Sequence, residues 1–102
     1  MTSTKYSQQQ YDSFKKVYER YHALSYAKMQ KLADKKFNDT VHPRSDAQIG
    51  IDVFYDDKKL GNIRCMVALF VVETKPRWWK FWDTAVHNED FIIKPNGSFV
   101  NE

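Results

Sequence analysis

The chain has 102 residues, a formal net charge of +3, 42% apolar and 16% aromatic side chains, and only three glycines and three prolines. That length excludes two ordinary domains but suffices for one hydrophobic core, and so few Gly and Pro exclude long flexible linkers. The lone cysteine, Cys65, excludes an internal disulfide framework.

The start of the chain, Met1 to Lys5, runs into three glutamines rather than an apolar stretch, so no secretory leader is read and a cytoplasmic location is expected. The longest apolar run, Met66 to Val72, has seven residues, against the roughly 20 that a membrane-spanning helix needs. Charge is unevenly placed: nine Lys and Arg oppose five Asp and Glu in residues 1–47, whereas seven oppose eight in residues 48–102. A solvated helix face accounts for that asymmetry as readily as an anionic partner does.

Ser7 followed by Gln10 has the spacing of a capping box, in which each side chain satisfies a backbone N–H at a helix start. From there Tyr11, Phe14, Tyr18, Tyr21, Met29 and Leu32 recur at helical spacing. They define an apolar stripe about 80° wide that keeps its phase across Ser25. This rhythm predicts one amphipathic helix over about residues 7–36. Such a helix would be about 45 Å long, longer than the roughly 30–35 Å diameter of a compact domain of this size. It must therefore bend, break near His22 to Ser25, or overhang and meet a second copy of the chain.

Residues 37–47 are dense in turn formers and have no period, which predicts a loop. Ile49, Ile51, Val53 and Tyr55 then alternate with Gly50, Asp52 and Phe54, the pattern of a half-buried strand. Asp56 to Lys59 is read as the turn. The return strand alternates Ile63, Cys65, Val67, Leu69 and Val71 with Arg64, Met66, Ala68, Phe70 and Val72; from Met66 onward both faces are apolar, as in a covered central strand. Matching apolar faces pairs Val53 with Ile63, Ile51 with Cys65 and Ile49 with Val67. That needs an odd connection or a bulge, for which Gly61 is the natural position. Arg77 to Val86 reads as a third strand, His87 to Asp90 as an interruption, Phe91 to Ile93 as a resumption, and Pro95-Asn96-Gly97 as a hairpin turn.

The whole predicts a single α+β domain over residues 1–102, with a long N-terminal amphipathic helix on a curved antiparallel meander of four to five strands spanning 48–100. By element order alone this resembles the cystatin and NTF2-like cone architectures. Function does not follow from such an architecture.

The densest candidate surface is Arg77, Trp78, Trp79, Phe81 and Trp82. Three indoles in five residues must be buried in the chain or against a partner, and Trp and Arg are enriched in interface hot spots. Interleaved with Lys80, the same tract is able to stack single-stranded bases. Tyr11, Tyr18 and Tyr21 give the helix a face more polar than an ordinary core, suited to self-association. Lys28, Lys31 and Lys35 line one helix flank, with Arg20 nearby, in the manner of a phosphate-binding stripe or a solvated face. Asp52 is the one carboxylate set within a strand, and is a pocket acid if helix and sheet enclose a cavity.

His22, His42, His87 and Cys65 share no metal-ligand spacing, so no metal is expected. No phosphate loop, nucleophile elbow or other catalytic constellation is legible, and no cofactor is expected. The leading expectation is therefore a non-enzymatic protein acting by protein–protein contact, with another protein or a second copy of itself. Nucleic-acid binding through the basic helix and Trp-rich strand is the second reading. A ligand or enzymatic pocket between helix and sheet is the third.

Overall fold

The computed structural model describes residues 6–71 and 86–100. Among these residues two helices, α1 (Gln8–His22) and α2 (Tyr26–Asp34), precede four strands: β1 (Asn38–Arg44), β2 (Ala47–Asp57), β3 (Asn62–Val71) and β4 (His87–Ile93). The strands form one open antiparallel sheet in the order β1-β2-β3-β4. Both helices pack on one of its faces, α1 chiefly over β3 and α2 over β2. This is the α+β arrangement that the two periodicities imply.

The helical stretch is two helices rather than one. The Ser7–Gln10 capping box is present at the start of α1, and Gln10 also reaches the Asp46 carbonyl at 2.9 Å, tying the helix start to the β1–β2 turn. Ala23 caps the end of α1, and Ser25 begins α2 by accepting from the Lys28 amide at 3.3 Å. A serine caps because its oxygen replaces a carbonyl that an N-terminal amide lacks. The break converts an overlong rod into two segments that both reach the sheet. The apolar stripe keeps its phase across it, so the stripe itself carries no mark of the interruption.

At its other end α2 closes with a Schellman motif. The Lys36 amide donates to the Ala33 carbonyl and the Phe37 amide to the Leu32 carbonyl, each at 3.0 Å. This places Lys36 at φ +52°, a left-handed conformation that glycine ordinarily takes at this position.

Residues Asn38 to Arg44, expected as loop, form the edge strand β1. Its side chains are exposed except for half-buried Val41, so it carries no alternation to read. An edge strand needs only one pairing partner and tolerates polar side chains and Pro43. Its pairing with β2 stops at Asn38 opposite Asp52, with Val53 donating to the Phe37 carbonyl just beyond.

The β2–β3 faces are as expected, but the register is two residues away. Val53 pairs with Cys65, Ile51 with Val67 and Ile49 with Leu69. The extra residue is Asp56 on β2, between the Tyr55–Ile63 and Asp57–Asn62 pairs, and not Gly61. Gly61 lies in the turn at φ +78°, where a Cβ would sit 3.0 Å from both the Pro95 ring and the Tyr26 hydroxyl. A slip of two preserves which side chains face the core, which is why apolar matching does not detect it.

His87 to Asp90, read as an interruption, belong to β4 and pair with Met66 to Leu69. The predicted third strand, Arg77 to Val86, lies outside the described residues apart from Val86, whose amide donates to the Leu69 carbonyl at 2.9 Å. The Pro95–Gly97 turn is present: the Lys94 amide donates to the Ser98 carbonyl and the Gly97 amide to the Lys94 carbonyl, Gly97 has φ +87°, and Phe99 returns beside Ile93.

The core lies between helices and sheet. Phe14, Val17, Met29 and Ala33 bury against Ile49, Ile51, Val53, Ile63, Cys65, Val67, Leu69, Phe91 and Ile93.

Candidate interaction surfaces

The three helix tyrosines lie at the rim of the core. Tyr11 stacks on Tyr6 and Phe14 and meets the His87 ring edge-on. Tyr18 stacks on Phe14 and His22 and meets Phe91 edge-on, and Tyr21 leans on Phe37. Each is half-buried against its own chain. Burial and the Asp39 carboxylate push the Tyr21 phenol above its ordinary pKa.

An aromatic seam joins α1 to β4. The His87 ring stands edge-on to Phe14 at 4.8 Å, with Nε2 at 2.9 Å from a Glu89 carboxylate oxygen. His22 stacks on Phe99 at 4.2 Å and meets Phe91 edge-on. These imidazoles serve as aromatic packing elements between helix and strand, a role that metal-ligand spacing does not test. Among the described residues no group of His, Cys, Asp or Glu is arranged to hold a metal ion.

Asp52 is placed on the opposite side of the sheet from the helices. It is half-buried, and pairs across the ladder with Met66. It also lines a cleft of about 440 Å³ with Ala33, Lys36, Phe54, Tyr55 and Lys58, at the edge of β2 that β1 leaves unpaired. Among the described residues, core side chains from both helices pack on the inner face of the sheet. The cleft Asp52 lines is thus at the sheet edge and not under the helix.

The sheet face turned away from the helices forms a grid. Phe54, Arg64 and Ile92 stand abreast in one row, Asp52, Met66 and Asp90 in the next, and Gly50, Ala68 and Asn88 in a third. Arg64 bonds the Asp56 carboxylate at 2.9 Å and also the Asp90 carboxylate, so one guanidinium bridges β3 to both neighbours. Those carboxylates, Asp56 foremost, raise the Arg64 pKa further. Met66 is 40% exposed at the centre of the grid, and no described helix or strand lies over it. The expectation of a strand covered on both faces is not met at Met66. The alternation places Arg64 and Met66 on the far face, but their flanking carboxylates depend on the register.

Cys65 lies on the buried face. Loss of water, with the nearby charges of Asp52 and Asp90, pushes its thiol up to about 12, so it is a small apolar filler and not a nucleophile at neutral pH. The Arg77, Trp78, Trp79, Phe81 and Trp82 tract lies outside the described residues. No helix among the described residues is long and apolar enough to cross a membrane.

Comparisons with protein-family models, with curated proteins and with solved structures returned no match to this chain.

Proposed function

We propose that this chain works by non-enzymatic contact with a protein partner, seated on the sheet face opposite the helices. The observation that carries the reading is Met66, an exposed apolar side chain between Asp52 and Asp90, with Phe54 and Ile92 in the neighbouring row. A patch with an apolar centre and a polar rim has the anatomy of a protein interface. Arg64 is paired with Asp56 and Asp90, and Asp52 adds a third carboxylate beside Met66, which disfavours a nucleic-acid backbone on this face and favours a partner that brings cations to its rim.

Met66→Asp places a charge at the patch centre without disturbing the buried face. The expected result is loss of whatever complex the wild type forms, read as mass by light scattering for a second copy and by affinity capture for another protein. A wild type that stays monomeric at high concentration, with a captured set identical to that of folded Met66→Asp, overturns the reading.

A further inference from the structure

A second surface, distinct from the sheet face, lies where α2 runs beside the β2–β3 turn. The two are joined by the Tyr26 hydroxyl on the Gly61 carbonyl at 2.6 Å and by the Tyr55 hydroxyl on Asp34 at 2.6 Å, and Lys36 and Lys58 line the same cleft. Lys28, Lys31 and Lys35 follow one another along the outer flank of α2, and Lys58 and Lys59 occupy the turn, all exposed. Leu60 follows them in that turn and is 64% exposed, the most exposed large apolar side chain among the described residues.

The carboxylates of this end take their hydrogen bonds from groups other than the lysines. Asp34 accepts from Tyr55, Asp56 from Arg64, and Asp57 from the Leu60 amide at 3.2 Å. The lysines are not neutralised in return: among the described residues no ion pair involves any of them, and Lys58 only approaches the Tyr55 ring at 6.0 Å. The result is a set of ammonium groups, unpaired among the described residues, carried on α2 and on the turn from which Leu60 projects.

We propose that this end docks reversibly on an anionic lipid surface. Leu60 enters the boundary between headgroups and acyl chains while the lysines of α2 and the turn face the lipid charges. Both components are needed for that assignment. Ammonium groups near an anionic leaflet are drawn to it within a screening length, and a bilayer rewards burial of an aliphatic side chain carried beside them. A nucleic-acid backbone attracts the lysines equally but offers Leu60 nothing.

The test is cosedimentation of the full chain with phosphatidylcholine vesicles, with and without phosphatidylserine at about one lipid in three. Binding is expected only to the phosphatidylserine vesicles and is lost in high salt. Leu60→Ser is expected to weaken it about tenfold, and Lys58→Gln with Lys59→Gln by about tenfold or more. Far-UV circular dichroism establishes that these surface variants are folded, and the salt and lipid dependence of the wild type is decisive without them. Absence of binding, equal binding to phosphatidylcholine alone, or indifference of folded Leu60→Ser overturns the proposal. So does tighter binding to a duplex oligonucleotide than to the vesicles, which would assign the lysines to nucleic acid.

Discussion

Tyr26 donates its phenolic hydrogen to the carbonyl oxygen of Gly61 at 2.6 Å, joining the first residue of α2 to the turn between β2 and β3. The contact fixes how α2 lies along the sheet and closes the end of the molecule that carries Leu60. Tyr26→Phe keeps the ring and removes the bond, and is expected to cost about 1 kcal/mol in urea unfolding. Gly61→Ala is expected to cost more than Tyr26→Phe, because it adds a strained positive φ to a Cβ contact of 3.0 Å with that same hydroxyl.

Lys36 tests the opposite sign. Its φ of +52° closes the Schellman motif at the end of α2 at the cost of a left-handed backbone for a residue with a Cβ. Lys36→Gly is expected to raise stability by about 0.5–1 kcal/mol, visible as a higher denaturation midpoint with unchanged slope. A neutral or destabilising result would mean that its cleft contacts outweigh the backbone strain.

Ser25 separates the helices, and its hydroxyl is the N-cap of α2. Ser25→Ala is expected to cost about 1 kcal/mol and Ser25→Gly only a few tenths, a contrast specific to a cap. Equal losses in the two variants would show that the break depends on packing alone.

Cys65 sets an alkaline limit. Its pKa is raised from 9.0 to about 12 in the folded chain, so the unfolded state loses its proton first. The stabilising contribution is complete below pH 9 and is lost progressively as pH rises toward 12, by up to about 1.4 kcal/mol per pH unit. Tyr21, also raised by burial, adds to the same alkaline loss. Cys65→Ala is expected to be less stable at neutral pH but to show a shallower fall above pH 9, measured by urea unfolding across pH. In the wild type the thiol is expected to resist a disulfide reagent at pH 8 until the chain unfolds.

Arg64 is a contrasting case, since its carboxylate partners are partly exposed. Arg64→Met is expected to change stability by less than about 1 kcal/mol, with the difference shrinking further in high salt. Phe14→Ala, by comparison, removes a fully buried ring in contact with Tyr11, Tyr18 and His87, and is expected to cost about 3–5 kcal/mol by the same assay.

Read alone, the sequence determined those features whose physics is local. The capping spacing of Ser7 and Gln10, the apolar stripe of the helices, the two faces of β2 and β3, and the Pro95–Gly97 turn each follow from neighbours within a few residues. Tertiary structure alone decided what local pattern leaves degenerate. A stripe in constant phase fits one helix or two, and a ladder shifted by two residues buries the same side chains. A polar edge strand such as β1 buries too little to leave a pattern. For the same reason the candidate surfaces emerged only on folding: Met66 acquires its flanking aspartates from strands on either side, and Leu60 its company of lysines from a helix more than twenty residues away in the chain.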